Sequence, residues 1–156
     1  MDTLFLGMTG NVLAVLGAAT AFMIAGIGTS IGMGRAGQAG SGVLTEDPGK
    51  FGTVMVLQAT NSTQAIYGFV VMFLILAKVG SDPLSTQDGL MLFVASLPIA
   101  LVGLVSALLQ GNITVACMQM IAKRADGLGR AVILILMVEM FAIIALIVSI
   151  LIIGKV

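Results

Sequence analysis

Histidine and tryptophan are absent from this 156-residue chain, cysteine occurs once, and charged residues make up only 9% of it. Without histidine, the commonest metal ligand and the commonest general acid or base are both missing. The single Cys117 excludes an internal disulfide and a cysteine-built zinc site. Seven basic residues cancel seven acidic ones, which leaves no electrostatic basis for binding nucleic acid. A soluble domain carries about 25% charged residues. With 59% hydrophobic residues and a mean hydropathy of +1.18, this chain is that of an integral membrane protein.

Four long apolar segments follow one another, at roughly 10 to 45, 51 to 79, 90 to 122 and 130 to 154. Helix is the state such lengths demand in lipid, because each segment must satisfy its own backbone polar groups. Turn chemistry separates them. Glu46-Asp47-Pro48-Gly49-Lys50 closes the first pair, Gly80-Ser81-Asp82-Pro83 through Gly89 links the pairs, and Lys123-Arg124-Ala125-Asp126-Gly127 closes the second. The chain opens Met1-Asp2-Thr3-Leu4-Phe5-Leu6 with no basic region, and its apolar stretch runs past Ala18-Ala19-Thr20. This reads as the start of the first membrane helix and not as a cleaved signal peptide.

Shifting the chain by 77 residues superposes Gly26 on Gly103, Gly34 on Gly111, Gly52 on Gly129, and Ala65-Ile66 on Ala142-Ile143. Two copies of a helical hairpin, fused in the same direction, account for that register. The organisation expected is a first hairpin over 1–79, an extracellular linker over 80–89 and a second hairpin over 90–156. Lys50, Lys123, Arg124 and Arg130 stand at the short loops, against Lys78 and Lys155 at the other ends. The excess of basic residues places the short loops, 46–50 and 123–129, in the cytoplasm and both termini outside.

Several motif matches carry no chemistry. Gly32-Met33-Gly34-Arg35-Ala36-Gly37 fits the dinucleotide pattern, but no strand precedes it and it lies in a membrane helix. Lys50 follows Gly49, yet Phe51 and Leu44 stand where a P-loop needs Ser or Thr and Gly. Asn61-Ser62-Thr63 and Asn112-Ile113-Thr114 match the glycosylation pattern inside membrane spans. The small residues of the first helix, Gly28 with Gly32 and Ala36 with Gly40, suit close packing, and the surface is one that further copies of the chain can meet.

Glu139 stands near the middle of Ala131 to Ile153, an uninterrupted run of 23 residues, long enough to cross a bilayer. An ionised carboxylate at that depth costs at least roughly 2.5 to 3.5 kcal/mol unless it is neutralised. Counted from Pro48 and its repeat equivalent Ala125 at 1.5 Å per residue, Glu139 lies about 21 Å along, Gln110 about 22 Å and Gln64 about 24 Å. Thr63 precedes Gln64, and Tyr67 is about one turn above with its phenol leaning back toward the same layer. An unbonded amide or hydroxyl costs roughly 2 to 7 kcal/mol in hydrocarbon. Two amide oxygens, a hydroxyl and a carboxylate form an all-oxygen shell suited to a hard cation. A single alkali ion neutralises Glu139 and occupies the amides together; a proton neutralises it equally but leaves less use for both glutamines. Glu139 maps onto Ser62 in the first hairpin, so one cation per chain is expected. Arg35 falls about 20 Å from its turn, near this layer. Permanent pairing with Glu139 would lock the site, so Arg35 is expected to face a lipid head group or another copy.

Thr63-Gln64-Ala65-Ile66-Tyr67-Gly68-Phe69, Ser96-Leu97-Pro98-Ile99-Ala100, Gln110-Gly111 and Met137-Val138-Glu139 resemble the proteolipid rotor-ring subunits of V-type ATPases, in particular the duplicated-hairpin K subunits of bacterial sodium-translocating enzymes. The resemblance covers essentially the whole chain. It implies an all-α membrane protein of four transmembrane helices in two fused parallel hairpins, assembling into a ring of identical subunits. The first and third helices would line the inside of that ring, and the second and fourth the outside. It implies Na+ held by side-chain oxygens of Thr63, Gln64, Gln110 and Glu139 and by the backbone carbonyl of Thr60, with Tyr67 hydrogen-bonding Glu139. The sodium rotors have proline just after that carbonyl position, where this chain has Asn61. The partners implied are a stator membrane subunit bearing an arginine, a central stalk leading to the ATP-hydrolysing head, and membrane lipids. The chain itself is then not an enzyme; it carries Na+, or H+ in the alternative, while its partners hydrolyse ATP. A stand-alone transporter or channel, and a purely structural scaffold, are the competing classes.

Overall fold

The computed structural model describes residues 9–80 and 82–156; the opening residues Met1 to Leu6 and linker residue Ser81 lie outside the described residues. Among the described residues all regular structure is helical. α1 spans Gly10–Glu46, α2 Phe51–Ala59, α3 Thr63–Leu76, α4 Thr86–Lys123 and α5 Leu128–Ile153. α2 and α3 are two halves of one span, joined by a 3₁₀ turn at Thr60–Ser62. Four membrane-length spans result, as the hydropathy pattern predicts.

Local chemistry sets the ends. α1 stops where Asp47 turns extended ahead of Pro48, the conformation proline imposes on its predecessor. Asp47 Oδ1 then accepts from the Gly49 N–H at 3.0 Å. α4 begins at Thr86, a turn ahead of the apolar run, because Ser85 Oγ accepts the Asp88 N–H at 3.1 Å and donates to Asp88 Oδ2 at 2.7 Å. Pro98 lies inside α4 without ending it.

The 37 residues of α1 and 38 of α4 make helices about 55 Å long, well beyond the roughly 30 Å hydrocarbon core, whereas α5 at 26 residues is about 39 Å. α1 and α4 lie in backbone contact. A Cβ on Gly17 would stand 2.7 Å from Phe93 Cα, one on Gly28 2.9 Å from Leu104 Cα, and one on Gly32 2.6 Å from the Ala107 carbonyl oxygen. Only glycine permits that approach. The contact advances along both helices together, so α1 and α4 run parallel and the two hairpins share one direction. Lys50 Nζ donates to the Ala122 carbonyl at 2.7 Å, which ties the two short loops together at the same end.

Gly28, Gly32, Ala36 and Gly40 are buried within the chain, while Gly26 and Gly34 have no atom within 4 Å of a Cβ position. The small-residue stripe anticipated as a face for further copies is thus used up within the chain, because its glycines admit the chain's own second repeat, and the open side of α1 is at Gly26 and Gly34 instead. Two apolar clusters form the core. One holds Ala18, Val71, Leu92, Ile99 and Ala145; the other, at the short-loop end, holds Val54, Leu57, Met118, Ile121 and Ile135. A polar layer separates them. Outside, the large exposed hydrophobic residues on α1 stop at Ile31 and those on α4 at Leu109, one turn before Arg35 and Asn112, whereas on α5 they run from Ile133 to Leu151.

Candidate ion-binding site

The 3₁₀ turn in the second span is written in its side chains. Thr60 Oγ1 donates to the Leu57 carbonyl at 2.7 Å, Asn61 Nδ2 to the same carbonyl at 3.1 Å, and Ser62 Oγ to the Ala59 carbonyl at 2.7 Å. Three consecutive residues able to bond the preceding turn draw the backbone away from regular α geometry. The Thr60 carbonyl consequently accepts from two side chains, Gln110 Nε2 at 3.1 Å and Thr63 Oγ1 at 3.3 Å.

The structure brings Thr60, Thr63, Gln64, Gln110 and Glu139 together, from the second span, α4 and α5. Thr63 Oγ1 lies 3.3 Å from Gln64 Oε1. Gln64 Nε2 donates to Gln110 Oε1 and, at 3.3 Å, to Ser106 Oγ. Gln110 Nε2 faces Thr60 and approaches Glu139 Oε2 at 3.5 Å. Tyr67 OH donates to Glu139 Oε1 at 2.6 Å. Gln64 and Gln110 are fully buried, and Glu139 is only 4% exposed although Met137, Met140 and Phe141 beside it are exposed. The carboxylate therefore points into the chain, and the apolar side chains around it point out. Oxygens of Thr60, Thr63, Gln64 and Glu139 meet in one buried layer, a set that can hold a small hard cation without any soft donor, while the Gln110 oxygen is engaged by Gln64. The single carboxylate limits the compensating charge to one.

Arg35 does not reach Glu139. Its Nη1 donates to Asn112 Oδ1 at 2.8 Å, and both residues are exposed on the α1 and α4 faces. Arg35 and Asn112 are 77 residues apart, so the pair joins equivalent positions of the two repeats.

Three residues that sequence reasoning left out support the site. Ser106 Oγ accepts from Gln64 and donates to the Val138 carbonyl at 3.1 Å, binding α4 to α5 beside Glu139. Asn61 and Thr114, both fully buried, bond each other from the second span to α4, Nδ2 to Oγ1 at 3.0 Å, and Thr114 Oγ1 also donates to the Gln110 carbonyl at 2.9 Å. Their signal was present: Thr114 and Ser106 stand one turn to either side of Gln110, on the same helix face.

These features define a class: a duplicated helical hairpin that carries a buried carboxylate in a polar layer between two apolar clusters. Matches to the ATP synthase C-subunit family cover residues 16–75 and 93–152, two copies offset by the same 77 residues, and the chain belongs to that family. It is 42% identical over 149 residues to the V-type sodium ATPase subunit K of Enterococcus hirae, a match covering 96% of this chain and 95% of that one. It is 39% identical over 140 residues to the A-type ATP synthase subunit K of Methanocaldococcus jannaschii, covering 90% of this chain and 61% of that longer one.

Proposed function

We propose that this chain is a rotor-ring subunit of a V-type rotary ATPase and that it carries one Na+ across the membrane per subunit. The observation that supports this best is the convergence of the Thr60 carbonyl, Thr63 Oγ1, the two buried glutamine amides and the single carboxylate of Glu139 in one layer between apolar clusters. The 42% identity to a subunit of a sodium ATPase points the same way.

In this reading Glu139 supplies the charge and the remaining oxygens replace the ion's water. Gln110 now turns its amide nitrogen toward Thr60 and Glu139; rotation about its terminal torsion, which is soft, would bring its oxygen to the ion, with Gln64 Nε2 giving up its bond to that oxygen and keeping the one to Ser106. Tyr67 holds one carboxylate oxygen, so the other is left to the ion. A neutralised Glu139 can pass the lipid as the ring turns, because the bare charge is what hydrocarbon excludes. Exchange then takes place where a stator protein supplies water and an arginine. Moving the ion against 100 mV takes about 2.3 kcal/mol, which the partner subunits provide by ATP hydrolysis. The short loops with Lys50, Lys123 and Arg124 face the cytoplasm toward the central stalk, the 80–89 linker and both termini lie outside, and lipids surround the assembly.

Carbodiimide labelling of Glu139 in purified rings tests the reading. Sodium at millimolar concentration is expected to protect Glu139 near neutral pH, and Glu139→Gln is expected to abolish ATP-driven sodium uptake into vesicles while rings still assemble. Labelling indifferent to sodium but suppressed by raising the pH overturns sodium in favour of the proton. Independent ion flux by a monomer overturns the rotor, and silent behaviour of Glu139→Gln would leave a scaffold.

A further inference from the structure

Resting on the sodium reading above, we infer that Asn61 sets the preference for Na+ over H+ at Glu139, because its side chain fixes the one backbone oxygen of the site. The two ions ask for different things. A proton neutralises the carboxylate by bonding one of its oxygens and needs nothing further. A cation must find oxygens in place of its water, as ions do on the backbone carbonyls of selective pores. A residue that positions the Thr60 carbonyl and leaves Glu139 alone therefore raises affinity for the cation only.

Asn61 is such a residue. It is fully buried in the 3₁₀ turn, and none of its hydrogen bonds reaches Glu139 or Tyr67. One Nδ2 hydrogen goes to the Leu57 carbonyl at 3.1 Å, four residues back in its own span; the other crosses to Thr114 Oγ1 on α4 at 3.0 Å. Thr114 carries the contact on by donating to the Gln110 carbonyl at 2.9 Å. The turn that presents the Thr60 carbonyl is thus fastened to the stretch of α4 that bears Gln110, whose Nε2 lies 3.1 Å from that carbonyl. Residue type matters here. A side-chain amide has two N–H donors and can serve its own span and the crossing together, whereas a hydroxyl has one donor. Thr60 Oγ1 and Ser62 Oγ, the other polar side chains of the turn, each give theirs to the preceding turn of the same span. The link to α4 is left to Asn61.

The sodium rotors that this sequence resembles have proline at the position of Asn61. Proline breaks a helix by lacking the N–H that bonds the carbonyl four residues back. In this chain that carbonyl belongs to Leu57, and Asn61 Nδ2 and Thr60 Oγ1 engage it with side chains. A missing donor needs no partner. A side-chain bond does, so in this chain the cation preference is shared between the second span and Thr114 on α4.

The test follows carbodiimide labelling of Glu139 in purified rings through two titrations, one with sodium at fixed pH and one with pH in the absence of sodium. Asn61→Leu keeps the branching of the side chain and removes its donors, while Thr114 retains its bond to Gln110. The half-protecting sodium concentration is expected to rise at least about tenfold. The pH at which half of the sodium-free labelling is lost is expected to stay where it is. The double exchange Asn61→Thr with Thr114→Asn reverses the pair: a hydroxyl then serves Leu57, and an amide serves both that hydroxyl and Gln110. Sodium protection is expected to return to that of the unaltered chain. Unchanged sodium protection in Asn61→Leu overturns the inference, and so does a displaced pH profile, which would mean that Asn61 acts on the carboxylate itself. If Asn61→Leu forms no rings, the double exchange decides: restored protection supports the assignment, and rings with weak protection overturn it. An unaltered chain that sodium does not protect overturns the sodium reading first, and this inference with it.

Discussion

At the scale of single residues, neutral side chains surround the carboxylate of the proposed site. The Tyr67 phenol reaches Glu139 at 2.6 Å, and hydrogen bonds to charged groups contribute about 1.5 to 3 kcal/mol. Tyr67→Phe is therefore expected to raise the sodium concentration that half-protects Glu139 from carbodiimide by at least about tenfold, with ring yield unchanged. Asn61 and Thr114 act one step further out. Their mutual bond sits between the turn that presents the Thr60 carbonyl and the backbone of Gln110. Thr114→Val keeps the shape and loses the hydroxyl; Thr114→Ser keeps the hydroxyl. Sodium titration of labelling should show several-fold weaker protection in the first and wild-type protection in the second, and equal behaviour of the two would remove Thr114 from any role at the site. The polar residues Thr63, Gln64, Gln110 and Glu139 are legible in the sequence because each is costly in lipid and all count to one depth. Asn61 and Thr114 are harder to read, because each also falls in a glycosylation match that membrane burial makes void, and nothing in one dimension says that the two meet.

At the scale of elements, glycine decides which helices touch. A Cβ on Gly32 would lie 2.6 Å from the Ala107 carbonyl, a backbone atom that cannot step aside. Gly32→Val is expected to cost several kcal/mol and to lower the thermal unfolding temperature of the purified protein sharply. Gly42, with open space around it on the same helix, provides the contrast: Gly42→Ala should be neutral or stabilising by up to about 1 kcal/mol in the same measurement. Hydropathy alone located all four spans. It missed the 3₁₀ break at Thr60–Ser62, because that break arises from three short polar side chains bonding the preceding turn, and no proline or glycine marks it.

At the scale of the whole molecule, the question raised by Arg35 resolves through topology. The parallel contact of α1 and α4 sets it beside its repeat equivalent Asn112, away from Glu139. Arg35→Gln is accordingly expected to leave the rate and sodium sensitivity of Glu139 labelling unchanged; faster labelling would mean that Arg35 restrains the carboxylate after all. One carboxylate per two hairpins also follows from the duplication, since Ser62 occupies the position that Glu139 holds in the second copy. Titration of labelling should therefore saturate at one modified residue per chain.

What the sequence determined by itself is the membrane class, the four spans, the duplication and the depth of the polar residues, because burial in lipid penalises every misplaced polar group and so leaves a one-dimensional record. Depth says nothing of azimuth. Which way Glu139 turns, whether Gln110 reaches it, and whether Arg35 meets a carboxylate or an asparagine were decided only when glycine-mediated packing set the rotation of each helix about its own axis.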